Sequence, residues 1–399
     1  MPTGISAKCR RIAPSATLVM DTRVKQLRAE GVNVVGFAAG EPDFDTPEPI
    51  RDAMKEAMDK GMTRYAPVAG TFEVRDAILH RLLEDSGLTY TREQIIVCNG
   101  AKHALYNAFQ AILDAGDEVI IPSPCWVSYP EMVRMAGGEP VFVECVEADG
   151  FLPSIEAIAA KVTPRTKAII LTSPSNPNGC IYPDELMQAI GDLAVQRDFY
   201  IVSDEIYGNL VYDGQRHMSI ATFGESIREH TIIIDGVSKS YAMTGFRIGY
   251  AAGPTDVIKA MCTYQSQATS GANTAAMHAA AVAFTMDQSC VETMRQAFEA
   301  RRDAIYAAIN AIPGLTCLKP EGAFYVMMNI QSLLGKRYDD TVLTDSTVFA
   351  ETLLENAHVA VVPGAAFMAE GYCRLSYATS MENIVEGMRR IAAFVKELK

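Results

Sequence analysis

The chain has 399 residues, of which 49% are hydrophobic and 21% charged, so it has enough apolar material for a large buried core and two domains. Its formal net charge of −13 argues against nucleic acid as a partner. No stretch approaches the ~20 apolar residues that a membrane-spanning helix needs, so we expect no membrane partner either.

Predicted helices and strands alternate along the first half of the chain. Helical periodicity covers residues 47–60, 74–85 and 102–113, and short apolar runs predict strands at 95–97, 118–121, 140–143, 168–171 and 199–202. Glycine, proline and aspartate punctuate the segments between them. This pattern is typical of an α/β protein with a mostly parallel sheet covered by helices.

The pattern changes in the second half. Strands are predicted at 231–234 and 248–251, and residues 261–312 are predicted to form one long helical stretch. The remainder favours a βαβ-like arrangement, with strands near 323–328, 359–361 and 373–377 and an amphipathic helix from residue 381. We therefore expect a second domain, which the amino-terminal segment joins.

Lys239 lies in the loop between the strands predicted at 231–234 and 248–251. If this loop is buried, the lysine is desolvated, its pKa falls, and its neutral amine can form a Schiff base with an aldehyde cofactor. The alternative is a solvated lysine at a strand end. Neighbouring motifs favour the first interpretation, because they supply the other groups that pyridoxal phosphate requires.

Three polar residues near the ends of predicted strands suit the ring of this cofactor. Asp204 follows a buried strand, at the carboxyl end where ligands of open α/β sheets bind, and its carboxylate could hold a proton on the ring nitrogen. Tyr207 follows it closely, and Asn176 comes after the preceding strand. Both could donate a hydrogen bond to the ring oxygen.

Cationic side chains and backbone amides are available for anions. Ser238 and Arg247 stand on the two sides of Lys239 and suit a phosphate, and Arg374 offers a planar fork for a substrate carboxylate. A helix start also provides free N–H groups at the positive end of its dipole. The residues at this helix start are Gly100, Ala101 and Lys102.

Each of these residues has an ordinary structural alternative. Asp204 could cap a helix, Tyr207 could be a core aromatic, and Asn176 could belong to a surface turn. Arg247 and Arg374 could form surface ion pairs. Their joint occurrence favours one pocket, because each supplies a different requirement of the same cofactor.

These segments resemble the class I aminotransferases, of the fold type shared by aspartate aminotransferase. The similarity covers nearly the whole chain, through Pro14-Ser-Ala-Thr17, the motif at residues 39–47, Tyr65-Ala-Pro67 and the motif at residues 374–379. Within the family, the pattern is most similar to bacterial aspartate aminotransferases whose distal substrate carboxylate is met by a lysine.

The resemblance implies a fold and a domain division. The fold is fold type I of the pyridoxal-phosphate-dependent transferases, in which a mostly parallel seven-stranded sheet forms the large domain and a smaller α/β domain accompanies it. The implied boundaries are 46–290 for the large domain and 1–45 together with 291–399 for the small one.

The resemblance also implies roles at the cofactor. Lys239 is the Schiff-base lysine and proton shuttle, Asp204 pairs with the pyridine nitrogen, and Tyr207 assists as the third catalytic residue. Trp126 is the only tryptophan, and a core position is its ordinary alternative. The implied cofactor ligands beside Lys239 and Asp204 are Asn176 and Tyr207 at the ring oxygen, Trp126 on the ring, and Gly100, Ala101, Lys102, Ser238 and Arg247 at the phosphate.

The substrate residues implied by the resemblance are Arg374 for the α-carboxylate and Lys102 for the distal carboxylate, with Thr17 assisting. For Lys102, a solvated position at a helix start is the alternative. Further implied substrate contacts come from Asn176, Gly40 and Trp126.

The sequence departs from the family pattern near its start. The family places a lysine directly before the Pro-Ser-Ala-Thr motif, whereas Ala13 stands here, and Arg10 or Arg11 could substitute for it. Gly236 replaces a second phosphate-binding serine of some relatives, so phosphate affinity could be slightly lower. Some relatives also accept prephenate, and the sequence leaves that choice open.

Tyr65 implies a homodimer if the resemblance holds for it, because its phenol would reach the phosphate in the neighbouring subunit. The alternative is a tyrosine of the core. No other macromolecular partner is expected.

The expected activity is transamination between aspartate and 2-oxoglutarate, with oxaloacetate and glutamate as products. Three alternatives stay open on the same scaffold: a prephenate aminotransferase, an aromatic or alanine aminotransferase, and a β-lyase. A non-catalytic domain of a transcription regulator is disfavoured, because the chain has no appended DNA-binding module and no basic face.

Cysteine and histidine usage bears on compartment and metals. Nine cysteines are scattered without a C-x-x-C pair, which indicates reduced thiols in the cytoplasm. The first ten residues contain no apolar signal core, so we expect no secretion. Six histidines lack paired ligand spacing, and we expect no metal.

Overall fold

The structure is a computed structural model that describes residues 4–14 and 16–399. Its α-helices are α1 (Ala7–Arg10), α2 (Ala16–Ala29), α3 (Glu48–Asp59), α4 (Phe72–Ser86), α5 (Ala101–Ile112), α6 (Ser128–Met135), α7 (Ile155–Ala159), α8 (Asp184–Arg197), α9 (Glu225–His230), α10 (Thr255–Ala268), α11 (Thr274–Thr285), α12 (Ser289–Asn310), α13 (Ser346–Ala357) and α14 (Met381–Glu397). Its strands are β1 (Val35–Gly36), β2 (Ile95–Cys98), β3 (Glu118–Ser123), β4 (Glu139–Glu144), β5 (Thr166–Thr172), β6 (Tyr200–Asp204), β7 (Thr231–Gly236), β8 (Gly249–Ala252), β9 (Tyr325–Asn329), β10 (Arg337–Tyr338), β11 (Thr341–Val342), β12 (Val359–Ala360), β13 (Val362–Pro363) and β14 (Tyr372–Ser376).

A seven-stranded sheet forms the centre of the larger part of the molecule, in the order β2-β8-β7-β6-β5-β3-β4. The neighbours from β7 to β4 are parallel, and β8 runs antiparallel to both β7 and β2. This confirms the predicted mostly parallel, seven-stranded sheet.

Helices cover both faces of this sheet. On β5, Ala168 and Ile170 pack into one apolar cluster, whereas Ile169 and Leu171 pack into another on the opposite face. Both faces are buried because successive side chains of a strand point to opposite sides. Helices α5 and α10 lie on the first face and α8 on the second, while α3 and α4 pack against α11.

A smaller three-stranded antiparallel sheet, ordered β13-β14-β9, lies in the carboxyl-terminal part. Its core includes residues of α12 and α14. The amino-terminal strand β1 pairs in parallel with β12, in the register Val35 to Val359. The domain boundaries at 45/46 and 290/291 stay a prediction.

The prediction of one helical stretch at 261–312 is wrong in its continuity. Three helices occupy this region, α10, α11 and α12, and turns separate them. Ser270 adopts a left-handed backbone with φ of 60°, and Asn273 then caps α11 by accepting a hydrogen bond from the N–H of Ala276 at 2.9 Å. Apolar periodicity continues across these turns, because every one of the three helices is packed in the core, and so it hides the breaks.

Candidate active site

A cavity of about 390 Å³ lies where the carboxyl ends of the central strands meet the smaller sheet. Asp204 is the last residue of β6, Asn176 follows β5, and Lys239 follows β7. Parallel strands bring their carboxyl ends to one edge of the sheet, which is why residues far apart in sequence share this space.

Most of the predicted site residues line this single cavity. Two do not: Gly100 lies directly behind it, and Tyr65 lies elsewhere on the surface. The predicted residues that line it are Thr17, Gly40, Ala101, Lys102, Trp126, Asn176, Asp204, Tyr207, Ser238, Lys239, Arg247 and Arg374.

Lys239 presents its amine to the cavity. The Nζ atom donates a hydrogen bond to the carbonyl oxygen of Gly40 at 2.5 Å. Burial lowers the pKa of Lys239 to about 8; the carboxylate of Glu41 opposes this shift and Arg247 adds to it. About one lysine in ten is then neutral at pH 7, against fewer than one in a thousand for an ordinary lysine. The residue can act as a nucleophile and as a base.

Asp204 is a buried carboxylate with ordered partners. Its Oδ2 accepts a hydrogen bond from the phenol of Tyr129 at 2.7 Å, and its Oδ1 accepts one from the N–H of Ile206 at 3.3 Å. Burial raises the pKa of Asp204 to about 6, and the hydrogen bond from Tyr129 opposes that rise. A cationic N–H group that entered the cavity would find in Asp204 an acceptor poorly solvated by water.

The start of α5 forms a corner whose groups suit an anion. The first intrahelical hydrogen bond runs from the N–H of His103 to the carbonyl of Gly100 at 3.0 Å, which leaves the amides of Ala101 and Lys102 ahead of it. Gly100 has a φ of 89°, and a Cβ atom there would lie 2.4 Å from Nη2 of Arg247. Glycine is therefore required for the arginine to lie against the helix start.

Arg247 is held tightly at this corner. Its Nη1 donates to the carbonyl of Thr244 at 2.8 Å and its Nη2 to the carbonyl of Asn99 at 3.3 Å. Its backbone is left-handed, with φ of 57°, which is uncommon for a residue other than glycine. Ser238 is buried and lines the same cavity. Hydroxyl, guanidinium and helix amides together suit a phosphate group.

Arg374 is a second buried cationic group at the cavity. It is only 2% exposed, and its Nη1 and Nη2 donate to Oδ1 of Asn176 and the carbonyl of Ala38, each at 3.0 Å. Its Nε atom is buried and has no hydrogen-bond partner. Burial lowers the pKa of Arg374, yet a guanidinium stays charged. Arg374 lines the cavity, where its planar guanidinium suits a carboxylate.

Lys102 lies across the indole of Trp126, with Nζ 4.6 Å from the ring centroid. Burial lowers the pKa of this lysine, and the nearby Arg247 lowers it further. Lys102 is nevertheless exposed to solvent, so the alternative of a solvated lysine at a helix start stays open. Thr17, at the start of α2, lines the cavity with it.

Nine lining residues were not predicted from the sequence, and four of these make side-chain hydrogen bonds at the cavity: Glu41, Tyr129, Thr244 and Tyr325. Oε2 of Glu41 accepts a hydrogen bond from the hydroxyl of Thr244 at 2.8 Å, and the phenols of Tyr207 and Tyr325 lie 3.0 Å apart. In a sequence, tyrosines within apolar runs have the pattern of core residues. Glu41 lies in the motif at residues 39–47, and this motif could have indicated it as a site residue.

Tyr65 is 99% exposed and borders a different hollow, with residues 271–275. The alternative of a core tyrosine is thereby excluded.

The cavity concentrates positive charge in an acidic protein. Within the described part of the chain, four cationic side chains line it against two carboxylates: Lys102, Lys239, Arg247 and Arg374 against Glu41 and Asp204. The chain as a whole carries a net charge of −13. Local charge therefore favours anionic ligands despite the unfavourable total.

Residues 4–14 and 16–399 contain no group of three or more His, Cys, Asp and Glu side chains that could hold a metal ion. In the same residues, no helix is both long and apolar enough to cross a membrane. The cavity instead combines a nucleophilic amine, a buried carboxylate and two anion sites, which suits the binding of a phosphate-bearing cofactor beside a carboxylic acid.

Comparisons with known proteins agree over nearly the full length. Residues 32–391 match the family described as Aminotransferase class I and II. The chain is 47% identical to a Geobacillus stearothermophilus protein named aspartate aminotransferase, covering 98% of this chain and 99% of that one. It is 46% identical to a Thermus thermophilus protein named aspartate/prephenate aminotransferase, covering 98% of each.

Solved structures are also similar. The aspartate aminotransferase from Rhizobium meliloti matches with a TM-score of 0.96 and 40% identity, over 99% of this chain and 100% of that chain. The Thermus thermophilus aspartate aminotransferase with maleate matches with a TM-score of 0.93 and 46% identity, over 98% and 99%.

Proposed function

The chain belongs to the class I and II aminotransferases, and from this premise we propose that it exchanges an amino group between aspartate and 2-oxoglutarate with pyridoxal 5′-phosphate as its cofactor. The observation that carries the proposal is the presence of Lys239 and Asp204 in one cavity. Burial there lowers the pKa of the amine to about 8 and leaves the carboxylate without bulk solvent.

The residues fit the cofactor. The close approach of Arg247 to Gly100 leaves no room for a Cβ atom and forms the cradle for a phosphate, with Ser238 and the amides of Ala101 and Lys102. Asp204 suits the ring nitrogen, and the side chains that suit the rest of the ring are Asn176, Tyr207 and Trp126. When bound, pyridoxal phosphate supplies an aldehyde for the amino group and a ring that withdraws electrons from the carbon being deprotonated.

The protein residues have distinct tasks in the reaction. Asp204, ionised above about pH 6, would hold a proton on the ring nitrogen of the bound cofactor. Lys239 accepts the α-proton of the amino acid at Nζ and later returns it, which requires the amine to be neutral at the start. Arg374 binds the α-carboxylate and so fixes the α-carbon relative to Nζ.

The choice of substrate rests on Lys102 and on the relatives. Lys102, held over Trp126, can bind the distal carboxylate of a dicarboxylic acid, with Thr17 nearby. Maleate, bound in one similar structure, is a four-carbon dicarboxylate like aspartate. Ala13 lines an adjoining hollow, in place of the family's lysine.

Prephenate is a second candidate substrate. The relative from Thermus thermophilus is named for both aspartate and prephenate. An adjoining hollow of about 830 Å³ shares Lys102, Ser128 and Arg247 with the cavity and is lined mainly by apolar residues. This space favours a dicarboxylate larger than aspartate.

We also propose that the enzyme is a homodimer in which Tyr65 reaches the phosphate site of the partner subunit. The full exposure of this side chain supports a contact outside its own subunit. A cytoplasmic location is supported by the cysteines, since all nine lie within the described residues and are free thiols.

Stopped-flow absorbance on the purified, cofactor-loaded protein tests the function. Aspartate and glutamate, mixed separately with the protein, should rapidly bleach the yellow cofactor band, whereas alanine and phenylalanine should bleach it slowly. The amino product of prephenate tests the second candidate substrate. Lys239→Ala should not respond to any of them. A band that responds only to neutral or aromatic amino acids would reject the aspartate assignment, and a protein that takes up no cofactor would reject the proposal as a whole.

A further inference from the structure

Tyr325, on β9, contacts both halves of the active site. It is 1% exposed and lines the cavity. Its hydroxyl lies 3.0 Å from the hydroxyl of Tyr207, and the guanidinium of Arg374 lies over its ring, 4.4 Å from the centroid. Tyr207 comes from the loop after β6 of the large sheet, whereas Arg374 is on β14 of the small sheet. One side chain therefore touches the residue proposed for the cofactor and the residue proposed for the substrate.

The ring of Tyr325 restricts the plane of the Arg374 guanidinium. Phe367 also lies against the guanidinium, with its ring centroid 4.9 Å from the guanidinium carbon. Two aromatic faces and two hydrogen bonds leave the long arginine side chain little freedom. This restriction fixes the guanidinium of Arg374 in the cavity wall, so the entropy of ordering its fork is lost before a carboxylate arrives.

The hydroxyl of Tyr325 acts on Tyr207 instead. Burial raises the pKa of Tyr207 well above its ordinary value, so the phenol stays protonated and can donate. A phenol has one proton and can also accept. If Tyr207 donates to an anionic oxygen in the cavity, the Tyr325 hydroxyl can turn to donate to Tyr207, and the pair remains satisfied. Phenylalanine at position 325 would keep the ring but remove this second donor.

We propose that Tyr325 is a positioning residue with two separable tasks: its ring holds Arg374 for the substrate α-carboxylate, and its hydroxyl directs the Tyr207 phenol to the ring oxygen of the cofactor. This inference rests on the proposed function, since that function assigns both targets. It adds a link between cofactor binding and carboxylate binding that neither residue provides alone.

A set of three variants separates the two tasks. Tyr325→Phe removes only the hydroxyl, Tyr325→Leu removes the hydroxyl and the aromatic ring, and Phe367→Leu removes the second aromatic contact to Arg374. Two dissociation constants are measured for each purified variant: that of pyridoxal phosphate, by absorbance titration of the cofactor-free protein, and that of maleate, by calorimetry on the loaded protein. Circular dichroism verifies the fold.

Tyr325→Phe should raise the Kd for pyridoxal phosphate about fivefold, the loss of one hydrogen bond, and leave the Kd for maleate within about twofold. Phe367→Leu should do the reverse and raise the Kd for maleate about tenfold. Tyr325→Leu should raise both. If Tyr325→Leu fails to fold, the opposite responses of the other two variants still decide the matter.

Two results would overturn the inference: equal weakening of maleate by Tyr325→Phe and Phe367→Leu, or no change in either constant in any variant. Failure of the proposed function looks different, because the wild-type protein would then bind no pyridoxal phosphate or, once loaded, no maleate. In that case the titrations of the wild type already identify the failed premise.

Discussion

Nη1 of Arg374 donates a hydrogen bond to Oδ1 of Asn176 at 3.0 Å, and this bond joins the smaller sheet to the larger one. The opposite nitrogen, Nη2, donates to the carbonyl of Ala38 from the amino-terminal segment. Three distant parts of the chain thus hold one guanidinium before any ligand binds. Such preorganisation reduces the cost of binding and aligns the substrate for proton transfer.

Arg374→Lys should lower kcat/KM for aspartate on the order of 100-fold, because an ammonium keeps the charge but loses the planar fork and both stacking faces. The kcat/KM for alanine as substrate should fall to the same degree, since alanine has the same α-carboxylate. Steady-state kinetics with both amino acids checks this. Arg389→Lys, at an exposed position paired with Glu386, is the matched control and should leave both substrates unaffected. A variant that retained wild-type kinetics would remove Arg374 from the substrate site.

Lys102→Met should lower activity with aspartate more than activity with alanine. The substitution keeps the length of the side chain over Trp126 but removes the charge, so kcat/KM for aspartate should fall about 10- to 100-fold. Alanine has no distal carboxylate and should change less than about threefold. Equal losses for the two amino acids would show that Lys102 acts on the cofactor or on the fold and not on the distal carboxylate.

Asp204→Asn should change how the stability of the cofactor-free protein depends on pH. The folded-state pKa of about 6 lies above the ordinary 3.8, so the folded state binds the proton more tightly, and wild-type stability falls as pH rises from about 4 to 6. The free energy of unfolding of the variant should therefore rise relative to that of the wild type across this window, by on the order of 2 kcal/mol. Above the window the difference should stay constant. Urea unfolding at several pH values measures the difference.

Asp76 provides a control of opposite sign for that experiment. A hydrogen bond from Arg92 holds the pKa of Asp76 below its ordinary value, so its contribution is present at neutral pH and is lost on acidification. The stability of Asp76→Asn should consequently fall relative to that of the wild type as pH rises through the acidic range. If the stabilities of the two variants followed the same trend with pH, burial would not be the cause of the raised pKa of Asp204.

Tyr65→Phe should weaken cofactor binding about tenfold without changing the oligomeric state, because the proposed contact of the phenol is with the phosphate in the partner subunit. Gel filtration and a pyridoxal phosphate titration report the two properties. Tyr338→Phe, remote from the cavity, is the control. Dilution to monomer should release cofactor from the wild type, and full retention of cofactor by a proven monomer contradicts the shared site.

The sequence was sufficient to predict the site residues that follow the ends of strands. Asp204, Asn176 and Lys239 each follow an apolar run, and a parallel sheet necessarily brings such positions to one edge. Their chemistry then indicated a cofactor. The same reasoning could not find Tyr129 or Tyr325, because a buried tyrosine within an apolar segment has the same pattern whether or not its hydroxyl meets a functional group.

Short pairings and helix breaks also escaped prediction. β1 and β12 have two residues each, too few for a periodic signal. The breaks in the 261–312 region depend on the left-handed turn at Ser270 and on the cap at Asn273, and both sit between helices with equally apolar faces. Tertiary packing, which a single sequence does not display, decides these features.

The pairing of β1 with β12 has a consequence for how the protein is made. The segment after β1 supplies Ala38 to Arg374, 336 residues further along the chain, and Gly40 to Lys239, 199 residues further along. A ribosome therefore releases the amino-terminal segment long before its partner strand exists. The last part of the cavity wall can close only after synthesis passes residue 374, so a chain terminated earlier could assemble its central sheet and yet have no substrate site.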